Sequence, residues 1–290
     1  MKKVLAFDIG GTNTRLALIN SHFEVEKDLV TPTPTGSKEK FMENCIEMIK
    51  QFPLENVVAI GAGVPGVVDT KTGKIIILPN VHIGDIDFGE ILTKEFNLPV
   101  YLRNDAQVAC LGEAYLGAGK KFDRVFFVTI STGLGGALCV DKKIQDYVTE
   151  VGHTLFNWNG QMIEFETIGG CNIEKFAKMN GKNIKSAKEM FDSAKHDEKE
   201  GVELLDEWVK VLDQYIKLMA DSYQPDIMVF TGGLMKAKEM FFHRIRQDNP
   251  NVLIQECHFS EGAGLMGAGV YALQCAKIIW FIIKIRIYYF

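Results

Sequence analysis

The chain has 290 residues, of which 47% are apolar and 24% charged, and 32 basic against 37 acidic side chains give a net charge of −5. This is the balance of an ordinary globular protein of one large or two smaller domains. With both signs interleaved and no basic stripe, it argues against a nucleic-acid binder, and six cysteines without a C-x-x-C pair argue against a disulfide framework.

In chain order, Val4 to Phe7 predict a buried strand, Asp8-Ile9-Gly10-Gly11-Thr12 a turn, and Arg15 to Ile19 a second strand. Phe41, Cys45 and Ile49 recur on one helical face, predicting a helix over 37–51. Val57 to Ile60 predicts a short strand running into Gly61-Ala62-Gly63-Val64-Pro65-Gly66. Val100 to Leu102 predicts another, with Asn104-Asp105 just past its end and a helix over 106–116. Arg124 to Ile130 is a strongly β-prone run. It turns at Ser131-Thr132-Gly133-Leu134-Gly135-Gly136 and continues as Ala137 to Val140. The lysine-rich stretch 178–200 reads as a solvated helix–loop region. Leu204, Leu205, Trp208, Val211, Leu212, Tyr215, Ile216 and Met219 make the apolar stripe of a long helix over 200–223. Ile227 to Phe230 and Val252 to Ile254 predict two more strands, the first ending in Thr231-Gly232-Gly233, the second followed by a helix starting at Gly262. The strand, Gly-Gly-Thr turn, strand pattern occurs twice, about 120 residues apart, which predicts an internal duplication of two α/β halves sharing a cleft.

Two glycine patterns, Gly61-x-Gly63-x-x-Gly66 and Gly262-x-Gly264-x-x-Gly267, match a dinucleotide fingerprint without its context. Pro65 and the missing helix spoil the first, and the second lacks the later acidic residue within a βαβ unit. The reading preferred here is phosphate binding by hairpins. Gly10, Gly11 and Thr12, and Thr132 and Gly133, can present backbone N–H groups and hydroxyls to an anion. Two such hairpins would clamp a triphosphate, with Asp8 holding Mg²⁺ through water. Gly232 and Gly233 form a third close-approach site suited to a flat base or ribose.

Asp105, at a strand's carboxyl end, is either the base for phosphoryl transfer to a hydroxyl or a helix N-cap. Glu150 and His153 offer an acceptor and a donor to sugar hydroxyls. His153 as a zinc ligand needs further partners, and only Cys171 is near in sequence. Asn80, after Pro79, is a second sugar contact or a turn residue. His22, His82, His196, His243 and His258 have no such company. Asp8 cuts the N-terminal apolar run well short of a signal peptide. The segment 277–290, KIIWFIIKIRIYYF, is too short and too charged for a membrane span. A cytoplasmic location with no membrane span is expected.

Taken in order, Asp8-Ile-Gly-Gly-Thr12, Gly63-Val-Pro-Gly66, Pro79-Asn80, Asn104-Asp105, Ser131-Thr-Gly-Leu-Gly-Gly136, Glu150-Val-Gly-His153 and Thr231-Gly-Gly233 resemble the motifs of the ROK (repressor, ORF, kinase) sugar kinases. The resemblance runs from about residue 3 to residue 276. It implies an α/β, actin-like ATPase (ribonuclease H-like) fold of two duplicated domains around a central cleft. The domains are expected over 1–112 and 113–276, the terminal helix being a candidate to pack back on the first, with 277–290 a tail of unassigned role.

The resemblance further implies glucokinase-like transfer of the ATP γ-phosphate to a hexose, giving a sugar 6-phosphate. The alternatives are an N-acetylhexosamine (ManNAc or GlcNAc) or fructose kinase, or a non-catalytic sugar-sensing member. By position, Asp105 takes the catalytic-base role. Asn80, Asn104, Glu150, His153 and Glu166, the last with Glu164 as alternative, take sugar-binding roles. Asp8, Gly10, Gly11, Thr12, Thr132 and Gly133 serve the phosphates and Mg²⁺, and Gly232 and Gly233 the adenosine. Many members carry a C-x-C-G-x-x-G-C zinc motif where this chain has Glu164-Phe-Glu-Thr-Ile-Gly-Gly-Cys171, so zinc is not expected. Repressor members add an N-terminal winged helix, for which a phosphate motif starting at Asp8 leaves no room. Family members are often dimers or tetramers, so a homodimer is among the expectations.

Overall fold

Val4-Leu5-Ala6-Phe7 and Val125-Phe126-Phe127-Val128 are buried without interruption. Such runs mark central strands covered on both faces, and each stands in the middle of its own five-stranded sheet. The computed structural model describes residues 1–148 and 150–279. Contacts divide the chain into two units, Met1–Tyr115 together with the chain from Gly262 onward, and Leu116–Glu261.

The first unit opens with β1 (Lys3–Ile9), β2 (Asn13–Asn20), β3 (Val25–Pro32) and α1 (Lys38–Lys50). Ser37 caps α1, its hydroxyl accepting the Lys40 N–H at 3.2 Å, and the predicted face of Phe41, Cys45 and Ile49 is buried. Next come β4 (Val57–Val64), β5 (Val67–Asp69), β6 (Lys74–Leu78), β7 (Ile83–Ile86), α2 (Phe88–Phe96), β8 (Val100–Asn104) and α3 (Asp105–Tyr115). The main sheet has the order β3-β2-β1-β4-β8, while β5, β6 and β7 form a separate antiparallel sheet. β2 is antiparallel to β1, β4 is parallel to β1, and β8 is parallel to β4. In this register Asp8 lies level with Gly63, and Gly63 with Arg103. Three parallel strands therefore end together, and the residues just past them share one edge.

The second unit contains β9 (Arg124–Ile130), β10 (Leu134–Val140), β11 (Lys143–Ile144), β12 (Leu155–Trp158), β13 (Gln161–Glu164), α4 (Ile173–Met179), α5 (Ala187–Lys195) and α6 (Lys199–Tyr223). It ends with β14 (Ile227–Thr231), α7 (Phe242–Asp248) and β15 (Ile254–Glu256). Its sheet order, β11-β10-β9-β14-β15, repeats the first in sequence order and direction, with β10 antiparallel to β9 and both β14 and β15 parallel. The predicted stripe of α6 is buried. Its Trp208 donates its indole N–H to Ile168 O at 2.9 Å and packs edge-on against Phe241.

The last helix, α8 (Ala263–Cys275), belongs to the first unit, where it packs on α3, β1 and β4. The domain limits thus differ from the expected 1–112 and 113–276. α3 continues to Tyr115, and the chain from Gly262 returns to the first sheet. Close backbone approach explains one glycine in each of the two patterns. A side chain on Gly267 would come within 1.7 Å of Val108 O in α3, and one on Gly61 within 2.2 Å of Ala268 O in α8. These glycines let helix and strand backbones touch. Of the tail, residues 280–290 lie outside the described residues. No described helix is long and apolar enough to cross a membrane.

Candidate active site

The shared edge of the first sheet gathers the acidic candidates. Asp8 is at the end of β1, cross-strand from Arg15 of β2, and Asp105 opens α3 directly after β8. Burial pushes the Asp8 carboxyl up to about 6, the nearby Asp105 carboxylate adds to the rise, and the Arg15 guanidinium opposes it. The start of α8 closes over this carboxylate: a side chain on Gly264 would lie 2.7 Å from Asp8 Oδ1. Asp105 is partly exposed and its Oδ1 accepts the Ala106 N–H at 2.8 Å. Asn104 accepts the same N–H at 3.0 Å and donates its amide to Gly66 O at 3.2 Å. Both side chains therefore make capping-type contacts at the start of α3.

Gly10, Gly11 and Thr12 lie in the loop joining β1 to β2. Gly10 N–H donates to Asn13 O at 2.9 Å, and the buried Thr33 hydroxyl donates to Gly10 O at 2.8 Å, so the loop is tied from behind while Thr12 stays exposed. Asn80 is exposed in a one-turn 3-10 helix, Pro79–Val81. The structure brings it to the same loop, since a side chain on Gly11 would come within 2.9 Å of Asn80 Cβ.

In the second unit Ser131, Thr132 and Gly133 form the turn between β9 and β10, with Ile130 paired to Leu134. A strap from a later segment holds it: Gly170 N–H donates to Ser131 O at 2.8 Å and Cys171 N–H to Thr132 O at 2.9 Å. Glu166 completes the hold. Its Oε2 accepts the Leu134 N–H at 2.6 Å, and burial raises its pKa. Glu164 turns elsewhere, its carboxylate 2.9 Å from His153 Nδ1. That contact is the main cause of a raised His153 pKa. Glu150, in left-handed conformation, is 3.8 Å from His153 Nε2. Among the described residues no three or more His, Cys, Asp or Glu side chains are arranged to hold a metal ion. Gly232 and Gly233 follow β14. Gly232 has φ +110°, and a side chain there would come within 2.2 Å of Ile130 O, whereas Gly233 is exposed and faces open space.

The structure thus brings Asp8, Gly10, Gly11, Thr12, Asn80, Asn104 and Asp105 to one unit. It brings Glu150, His153, Glu164, Glu166, Thr132, Gly133, Gly232 and Gly233 to the other. Three neighbours escaped the sequence reasoning. Arg15 was legible from strand alternation, since a hairpin at Gly10-Gly11 sets it opposite Asp8. Gly264 carries no signal, because nothing in its own segment tells which strand α8 covers. The β12–β13 hairpin that carries Glu164 had a strong one: Asn159-Gly160 between Trp158 and Gln161 is the dipeptide of a two-residue type I′ turn.

The profile of the ROK family matches residues 4–274. A glucokinase of Thermotoga maritima is 25% identical over 273 residues, which cover 84% of this chain and 86% of that protein. A xylose repressor of Caldicellulosiruptor bescii is 28% identical over 186 residues, 60% of this chain, and the chain spans 46% of the repressor's length. Among solved structures, a ROK family glucokinase from Streptomyces griseus in complex with glucose and AMPPNP superposes with a TM-score of 0.73 over 94% of this chain and 99% of that one, at 21% identity. The duplicated sheets are those of the actin-like ATPase, or ribonuclease H-like, α/β fold.

Proposed function

This chain belongs to the ROK family, and from that premise we propose that it transfers the γ-phosphoryl group of ATP to a hexose hydroxyl, glucokinase-like, giving a sugar 6-phosphate. The observation that carries the proposal is the pair of carboxylates at one sheet edge, Asp8 and Asp105, in unequal surroundings. Asp8 is crowded by Gly264 and faces Arg15, while Asp105 is partly exposed at the start of α3.

In the proposed step Asp105 accepts the proton of the sugar hydroxyl as its oxygen bonds to the γ-phosphorus. The bond from that phosphorus to the bridging oxygen breaks, and ADP leaves. Asn80, Asn104, Glu150, His153 and Glu166 hold the sugar hydroxyls. Gly10, Gly11 and Thr12 from one hairpin, and Thr132 and Gly133 from the other, donate to the phosphates. The open face of Gly233, beside Gly232, takes the adenosine. The donor set also fits Mg²⁺: a hard cation wants carboxylate oxygens, and Asp8 is a packed carboxylate next to a second one. Mg²⁺ arriving with ATP would sit against Asp8 and neutralise phosphate charge. The glucokinase relative and the structure bound to glucose and AMPPNP support this reading.

The test is Asp105→Asn. Turnover is expected to fall by about 10²–10⁴-fold, with sugar affinity by calorimetry retained. Turnover near wild type would remove Asp105 as the base. A second reading, a sugar-sensing member without catalysis, is favoured by the match to the xylose repressor. It requires sugar binding with no ADP release from the wild-type chain. ManNAc, GlcNAc and fructose are the alternative acceptors within the kinase reading.

A further inference from the structure

Glu164, the alternative to Glu166 as a sugar contact, turns instead to His153, and its place is tightly determined. It is the last residue of β13, level with Leu155 of β12, and the Phe165 N–H donates to Thr154 O at 3.2 Å just beyond. The other end of the hairpin is closed by Asn159 and Gly160, with φ of 50° and 83°. His153 is fixed from the opposite side. It ends the 3-10 turn Val151–His153, whose Gly152 leaves no room for a side chain, since one would come within 2.0 Å of Leu134 O in β10. The 3-10 turn and the hairpin, joined by the Phe165 N–H to Thr154 O bond, thus set both backbones, and the side chains meet at 2.9 Å.

With side-chain exposures of 55% and 46%, this contact adds little to stability. Its effect on the imidazole is larger. A carboxylate can only accept, so Nδ1 must carry a hydrogen. Nε2 is then the nitrogen that faces a ligand. Glu150 Oε2 stands 3.8 Å from it, too far for a hydrogen bond and near enough to share one partner. The charged groups around the ring are Glu150 before the turn, Glu164 on β13 and Glu166 in the turn Phe165–Ile168, and together they favour the imidazolium. Nε2 then donates, and Glu150 accepts. One hydroxyl satisfies both by accepting from Nε2–H and donating to Glu150.

We propose that Glu164 is a positioning residue, fixing His153 through Nδ1 so that His153 Nε2 and Glu150 together grip a single sugar hydroxyl. The identity of the ligand as a sugar rests on the kinase reading; the orientation of His153 does not. The two are separated by a nuclear magnetic resonance titration of the His153 ring in the wild type, Glu164→Gln and Glu164→Asp, run beside steady-state kinetics. In Glu164→Gln the His153 pKa is expected to fall toward the ordinary imidazole value and sugar KM to rise about tenfold. The changes in kcat and in KM for ATP should be smaller, and Glu164→Asp should recover part of both effects. A titration that Glu164→Gln leaves unmoved overturns the proposal whatever the activity. So does a shifted titration with unchanged sugar KM. If no sugar is phosphorylated by the wild type, the kinase reading fails, and the titration still decides whether Glu164 orients His153.

Discussion

Asp8 and Asp105 are the same chemical group at one end of the first sheet's parallel strands, and their surroundings differ. For Asp8, burial outweighs the Arg15 charge and the folded pKa stands at about 6 against 3.8. Protonation therefore favours the fold, and this contribution, fully present at low pH, is lost as pH rises through about 6. The proposed function needs the opposite state, because a metal ion brought by ATP would be held by the carboxylate and not by the acid. Two outcomes are expected at this residue. The wild-type kcat/KM for Mg-ATP should fall as pH drops through about 6. Asp8→Asn should raise the urea midpoint at about pH 8 by the equivalent of about 3 kcal/mol while abolishing turnover. A lower midpoint in that variant would show that Arg15 outweighs burial. Residues of this kind were legible in the chain because their motifs are local: Asp8 sits beside its own glycine turn and Asp105 at its own strand end. The choice between Glu164 and Glu166 was not legible, since the two stand two residues apart and only the end of β13 at Glu164 turns one to His153 and the other to the Leu134 N–H.

At the scale of elements, α8 shows why local reading stops short. Its glycines match the spacing of a dinucleotide fingerprint without its context, and two of them serve packing. Gly264 makes room for Asp8, and Gly267 for the α3 backbone at Val108. Gly267→Ala would force a methyl to within 1.7 Å of a helix carbonyl, so one helix must shift. The expected cost is about 2–3 kcal/mol of stability by chemical denaturation. Gly269→Ala is the matched control, since its methyl meets only the flexible end of Ile19 at 2.7 Å and should cost less. Equal losses in the two variants would mean that helix propensity, not backbone approach, governs α8. Strong periodicity made α1, α6 and the central strands readable, since the buried face alone determines each of them. The edge strand β3 and the small sheet β5–β7 were missed because they bury few side chains. β3 is mostly exposed and carries no apolar run, whereas β6 does carry one, Ile75 to Leu78, but Ile76 and Ile77 face outward, so it shows neither strand alternation nor a fully buried run.

Across the whole chain the repeated glycine turn announced a duplication, and the two sheets carry it through in order and direction. The unit boundary was less readable, because the chain closes the first unit with a segment from its far end, and no linker composition marks that return. Each unit brings its own glycine hairpin, and the first also holds the pair of carboxylates, Asp8 and Asp105. The most direct measurement of the central claim is ADP release by the folded wild-type protein with Mg-ATP, across glucose, mannose, fructose, allose, GlcNAc and ManNAc. At least one sugar is expected to stimulate release well above the sugar-free rate, with that stimulation lost in Asp105→Asn. Folded protein that releases ADP at the sugar-free rate with every one of them would contradict the assignment of a sugar kinase.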